Sequence, residues 1–197
     1  EFLTDPSRGI FKGPYVRTRL PFRGSDDEGF DFEFPLEHKP YGHQAKAFAR
    51  LASFVDGEEV RPKPTMVTTG TGSGKTEAFL YPILNHVLRA KRQGKPGVKA
   101  LILYPMNALA NDQAQRLARM LVETPELEGI RAGIYTGQEG KKRTVVSGEG
   151  LINDRAVIRE DPPDILLTNY KMLDQLLLRF EDAPLWEISA DSLQYLV

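Results

Sequence analysis

Over residues 1–40 the apolar positions are mostly aromatic and alternate with polar ones in short stretches, as in GIFKGPYVRTRLPF and FDFEFPLE. A period of two describes extended chain with two unlike faces, so this segment is expected to form strands or a wrapping arm. From Gly42 the period lengthens. Ala45, Phe48, Leu51 and Ala52 recur at helical spacing within HQAKAFARLASF, which predicts a first helix. A Pro-rich linker then leads to TMVTT (65–69), a β-prone run that empties into GTGSGKT. KTEAFLYPILNHVLRAKRQ follows as a helix expected to bend near Pro82, where a ladder donor is missing.

The alternation repeats downstream. VKALILYP (98–105) has the continuous apolar character of a buried strand, and NALANDQAQRLARMLVE places Ala110, Ala114, Leu117 and Leu121 on one helical face. RAGIYTG predicts a third strand, DILLTN a fourth and LQYLV a fifth. YKMLDQLLLRF predicts a helix with Met172, Leu173, Leu176, Leu177 and Phe180 inward. QEGKKRTVVSGEG is expected to be a mobile loop and REDPPD a helix-to-strand connection. Strands separated by helices imply right-handed crossovers. The predicted class is therefore α/β: a mostly parallel sheet with helices on both faces, preceded by an irregular or β arm over residues 1–39.

Composition narrows the function classes. The 197 residues carry 26 basic and 27 acidic side chains, so attraction to a polyanion must come from a local patch or from backbone amides. There are no cysteines, which excludes disulfides, thiolate metal sites and cysteine nucleophiles together and suits a reducing cytoplasm. No signal-peptide pattern is present and no apolar run approaches the ~18 residues of a membrane span, so a cytoplasmic protein with no membrane partner is expected. His38, His43 and His86 have no metal-ligand spacing. The first residues, Glu1 and Phe2, and the apolar ending ADSLQYLV suggest an excised stretch of a longer protein.

TTGTGSGKTE (68–77) is the strongest chemical signal. Glycines at 70, 72 and 74 let successive amides turn inward, so Thr71, Gly72, Ser73 and Gly74 form a concave nest for phosphate oxygens on the positive end of the next helix. Lys75 can reach the β- and γ-phosphates, and the Thr76 hydroxyl can ligate Mg²⁺. A Gly-rich turn before a helix is the bland alternative, and it leaves Lys-Thr at the required place unexplained. Thr69 stands where the general phosphate-loop pattern has its first glycine. With that substitution T-x-T-G-S-G-K-T resembles motif I of superfamily 2 helicases and translocases.

That resemblance implies ATP and Mg as cofactors, nucleic acid as partner and a RecA-like fold over residues 40–197. PYGHQ (40–44) looks like the adenine-reading motif, with Gln44 on the purine edge and Tyr41 the nearest stacking aromatic. An amide donates and accepts in one plane, which suits adenine, although Gln44 also reads as a surface residue of a first helical turn. YPMNALANDQ resembles motif Ia, which implies backbone contacts at Pro105, Asn107 and Ala108. YTGQ resembles motif Ib, at Thr136 and Gly137, and LLTNYKML resembles motif Ic, at Thr168 and Asn169. Thr-Gly and Thr-Asn are also ordinary turn and cap residues. Contacts of this kind read backbone, not base sequence. More narrowly, the chain resembles large bacterial DEAD/DEAH-type helicases of phage-defence systems such as DISARM and Druantia, and RecQ-like repair helicases.

Family chemistry also needs an Asp-Glu pair directly after an apolar strand, and LQYLV is the strand in the right place. The chain is therefore expected to stop before those acids and to hydrolyse little or no ATP alone. The implied function is the ATP-binding part of a nucleic-acid helicase or translocase, with DNA preferred over RNA as its track and with possible protein partners in a defence or repair complex. An alternative of a different class is a non-catalytic P-loop module whose aromatic arm docks partners or nucleic acid. RAKRQGKPGVK and GKKR read as solvated basic clusters, with Arg143 able to touch nucleic acid.

Overall fold

Parallel pairing at the centre of the chain follows from its most apolar runs. A computed structural model of the protein describes residues 5, 9, 21–26, 30–36, 38–137 and 141–197. Most of GIFKGPYVRTRLPF, and Gln138, lie outside the described residues. The elements are α1 (Gly42–Leu51), β1 (Phe54–Val55), β2 (Glu58–Glu59), α2 (Lys75–Arg92), β3 (Ala100–Tyr104), α3 (Asn107–Glu123), β4 (Ala132–Tyr135), α4 (Arg155–Glu160), β5 (Ile165–Asn169), α5 (Tyr170–Leu178), α6 (Ala183–Ser189) and β6 (Tyr195–Leu196). Strands β4, β5, β3 and β6 form one parallel sheet in that spatial order. Alternate residues on a strand face opposite ways, so each strand feeds two cores. Ala100, Ile102, Ile165 and Leu167 join α2 and α3 on one face, while Leu101, Leu166 and Tyr135 join α5, α6 and Ile158 of α4 on the other.

The starting ends of the strands are pinned by one carboxylate. Asp164, just before β5, accepts from the Lys99 ammonium at 2.9 Å, the Lys91 ammonium at 3.0 Å and the Arg131 amide at 2.8 Å. Lys99 precedes β3 and Arg131 precedes β4, so three strands are held in register at that edge. The RAKRQGKPGVK cluster is largely spent in this way: Lys91 and Lys99 bind Asp164, Arg89 and Arg92 bind Glu33, and Lys95 binds Glu59.

Three expectations are corrected. TMVTT forms no strand, and Met66 within it is 87% exposed. β-propensity reflects fit to a neighbouring strand, and no described strand pairs with it. Leu177 and Phe180 face outward, at 61% and 93% exposed, because α5 buries only the narrow stripe of Met172 and Leu176 and ends at Leu178. REDPPD is partly helical, its first two residues ending α4. An unexpected antiparallel pair, β1–β2, turns at Asp56 and Gly57, whose φ values of 52° and 83° suit the Asp-Gly hairpin signal.

Residues 30–36 of the arm pack on the chain's own helices. Phe30 and Phe32 meet Phe48 of α1 edge to face at 5.2 and 5.1 Å, and Phe34 meets Tyr81 of α2 at 5.7 Å. The Asn85 side chain accepts from the Glu33 amide and donates to the Asp31 carbonyl, and Arg89 pairs with both carboxylates.

Candidate functional site

In a parallel sheet every strand-to-helix turn emerges at the same edge, where α/β proteins bind ligands. The phosphate loop sits there. Gly72 and Gly74 both have φ of 72°, and Gly74 is the N-cap of α2, so the loop's last amides and the positive helix end converge. A Cβ on Gly74 would lie 2.3 Å from Gln44 Nε2, which shows how closely α1 approaches the loop. Thr69 and Ser73 hydroxyls bond to each other, a contact that the first glycine of the general pattern could not make. Lys75 Nζ donates to the carbonyls of Thr69 at 3.1 Å and Gly70 at 2.8 Å. The ammonium is thus folded over its own loop, within reach of any anion in the nest. Thr71 and Gly72 are exposed, Ser73 is buried, and Thr76 is half-buried.

Helix α1 clamps this loop. His43 Nε2 donates to the Ser73 carbonyl at 2.8 Å, and Gln44 Nε2 donates to the Gly74 carbonyl at 3.0 Å. Gln44 Oε1 accepts from the Tyr41 amide at 2.8 Å. Gln44 is therefore 8% exposed and bridges two backbone segments, which is not the behaviour of a surface residue. One donor and one acceptor position of its amide remain for a ligand edge. Tyr41 stacks on His43 at 5.8 Å. Leu36, Pro40, Tyr41, Gln44, Glu77 and Tyr81 line a cavity of about 340 Å³ beside the loop, so the arm supplies one of its walls.

Thr76 faces a neighbouring cleft with Tyr104, Gln113 and Arg116, at the end of β3. Burial, aided by Asp112, pushes the Tyr104 phenol up to about 12, so it stays a neutral donor. Arg116 of α3 pairs with Glu77 of α2 across this cleft. No sequence spacing links the two residues of that pair. Its only local signal is an acid directly after Lys75-Thr76. Among the described residues, no cluster of three His, Asp or Glu is arranged to hold a metal ion.

The proposed backbone-contacting residues divide. Pro105, Asn107, Gly137 and Asn169 line one cavity of about 330 Å³ at the tips of β3, β4 and β5, together with Lys171. Asn169 Nδ2 donates to Asn107 Oδ1 at 2.6 Å, while Asn169 Oδ1 accepts from the Met172 amide and caps α5. The turns after β3 and β5 are thereby locked together. Thr136 lies beside Gly137 and lines an adjacent cavity. Ala108 is exposed on the first turn of α3. Thr168 is fully buried and donates to the Tyr135 carbonyl at 2.7 Å, so its hydroxyl serves the sheet and does not reach that surface. No helix among the described residues is long and apolar enough to cross a membrane.

Known proteins resemble this chain in sequence, and one solved structure resembles it in fold. The DruE protein of the Druantia system from Escherichia coli is 40% identical over 140 residues, covering 64% of this chain and 7% of that protein. The uncharacterized ATP-dependent helicase MJ1574 of Methanocaldococcus jannaschii is 29% identical over 180 residues, covering 90% of this chain and 23% of that protein. The chain thus spans a minor part of the length of these relatives. Among solved structures, the DUF1998 helicase MrfA, bound to DNA and AMPPNP, superposes with a TM-score of 0.52 at 24% identity over 81% of this chain and 18% of that one, a likeness of fold. Residues 41–197, nearly all of the chain after the arm, match the DEAD/DEAH box helicase family, and the chain belongs to it.

Proposed function

We propose that this chain is the first RecA-like domain, over residues 40–197, of an ATP-dependent superfamily 2 helicase or translocase that moves on DNA. The observation that carries the proposal is a shared edge: the phosphate loop and the cavity of Pro105, Asn107, Gly137 and Asn169 adjoin the same ends of the same strands. A motor needs its nucleotide and its track on one rigid element, and β3 with α3 connects the two here. The amides of Thr71, Gly72, Ser73 and Gly74 cradle the triphosphate, and Lys75 exchanges its two carbonyl partners for phosphate oxygens. Thr76 holds Mg²⁺. Gln44 and Tyr41 take the adenine. Mg-ATP supplies the free energy of phosphoryl transfer when bound. Among the described residues the walls of the cleft that Thr76 lines hold no Asp or Glu, and Glu77 beside it is paired with Arg116, so the 197 residues alone are expected to bind nucleotide weakly and to turn over essentially none.

DNA is proposed over RNA because the solved neighbour is described bound to DNA. A role in antiphage defence or repair, in the cytoplasm and with protein partners, is proposed from the likeness to the Druantia protein. The alternative of an arm presented to partners finds less support, since Phe30, Phe32 and Phe34 face Phe48 and Tyr81.

The test combines three measurements on the purified chain. Millimolar Mg-ATP should raise the melting temperature, and Lys75→Ala should abolish the shift. A labelled single-stranded DNA should bind more tightly than RNA of the same sequence, with Asn107→Ala weakening both. A thermal shift that survives Lys75→Ala removes the phosphate-loop assignment. Robust ATP turnover abolished by Lys75→Ala would refute the missing-carboxylate account.

A further inference from the structure

The segment between β4 and β5 carries a cationic cavity that the family motifs do not account for. It has a volume of about 300 Å³, and its walls include Thr136, Lys141, Arg143, Asn153 and Arg155. The fold holds these groups in place. The Arg143 amide donates to Asn153 Oδ1 at 2.6 Å, and the Arg143 carbonyl accepts from the amides of Asn153 and Asp154 at 3.0 and 3.2 Å. The guanidinium of Arg143 lies against Gly150, where a Cβ would come within 3.3 Å of its Cζ. Arg155 sits 5.2 Å from the centroid of the Tyr135 ring and donates to the Thr136 carbonyl. These contacts, the second at 3.4 Å, bias the exposed group towards the cavity.

The charge of this cavity is only partly compensated. Its one carboxylate, Glu149, lies 3.7 Å from Lys141. Arg143 and Arg155 form no salt bridge among the described residues, and Arg143 Nε is buried without a hydrogen-bond partner. A buried guanidinium N–H left unpaired is costly unless a ligand completes it. Two guanidinium forks lining one space match the oxygens of a phosphate group. Thr136 lines this cavity and Gly137, the next residue, lines the strand-tip cavity, so the two are neighbours across one turn.

We propose that this cavity is a phosphate-binding site, in which Arg143 and Arg155 grip a backbone phosphodiester of the nucleic acid beyond the strand tips. The proposal rests on the nucleic-acid reading above, and the experiment separates the two. The side-chain Nε–H signals of Arg143 and Arg155, and the amide signals of Asn107 and Asn169, are followed by NMR in the ¹⁵N-labelled 197-residue chain. Single-stranded DNA of mixed sequence and inorganic phosphate are titrated separately. DNA should shift all four residues saturably, and phosphate should shift the two arginines alone. Arg143→Gln and Arg155→Gln should each weaken DNA binding several-fold and reduce the salt dependence of log K by about 0.7. Arg61→Gln, an exposed arginine lining neither cavity, should leave that slope unchanged. DNA that moves Asn107 and Asn169 without the arginines overturns this inference and leaves the nucleic-acid reading standing. Phosphate that shifts the arginines while DNA moves nothing makes the cavity a site for a free anion and overturns the nucleic-acid source. If neither probe shifts the arginines in a folded chain, no phosphate site exists there.

Discussion

At the scale of single residues, the two left-handed glycines of the phosphate loop make different demands. An L-residue in that conformation costs about 1–2 kcal/mol at either position. A Cβ on Gly72 meets nothing within 4 Å, whereas one on Gly74 overlaps the Gln44 amide. Gln44 is a flexible side chain and can swing aside, but only by giving up its bond to the Gly74 carbonyl. Gly74→Ala should therefore lose about 2–3 kcal/mol in urea unfolding and Gly72→Ala about 1 kcal/mol. Equal losses would mean that the Gln44 contact carries no weight. Asp164 tests the opposite edge of the sheet. Asp164→Ala leaves Lys99, 2% exposed, without its carboxylate and should cost about 3–5 kcal/mol. Lys99→Met should cost less, because Asp164 keeps Lys91 and the Arg131 amide.

Elements were legible where their cause is local and obscure where it is not. The helical spacing of Ala110, Ala114, Leu117 and Leu121 is a property of the segment itself, and α3 buries all four. The apolar runs of β3 and β5 likewise declare a strand covered on both faces. TMVTT is β-prone in composition but has no described strand beside it, so propensity alone misleads there. In the site, Lys75 and Thr76 were legible because the phosphate loop is one contiguous pattern. The Glu77–Arg116 pair and the Asn107–Asn169 bond join residues from different elements, and no spacing encodes them. The arm belongs to the same kind. Its alternation announced an extended segment, but Phe48 of α1 together with Tyr81, Asn85 and Arg89 of α2 says where it docks. Asn85→Ala removes two hydrogen bonds to the arm's backbone without touching its aromatic face. Amide exchange across residues 30–36 should then accelerate severalfold while exchange in β3 and β5 stays unchanged. An arm held chiefly by its phenylalanines would show no acceleration.

For the molecule as a whole, one buried histidine ties the edge of the sheet to the first two helices. His86 of α2 is 1% exposed, accepts or donates at 2.9 Å with Ser53 just after α1, and lies between Phe54 of β1 and Tyr195 of β6. Tyr195 in turn donates to the Leu51 carbonyl at the end of α1. Burial is the main cause that lowers the His86 pKa to about 4, with Lys95 and Lys99 acting in the same direction and Glu59 against. A group whose folded value is depressed binds fewer protons folded than unfolded, so stability rises with pH through the interval between the two values. The contribution is fully present above about 6.5 and is lost as pH falls towards 4, below which the difference is constant. The span of about 2.5 pH units corresponds to about 3 kcal/mol. Carboxylates titrate at the lower end of the same interval, so the measurement is a comparison. Urea unfolding of the unmodified chain and of His86→Gln should be followed from pH 7.5 to 4. The unmodified chain should lose stability more steeply between 6.5 and 4, and the two curves should run parallel above 7. Identical slopes throughout would show that His86 is solvated in the folded protein and that the contact between β6 and the first two helices is looser than the packing of Tyr195 implies.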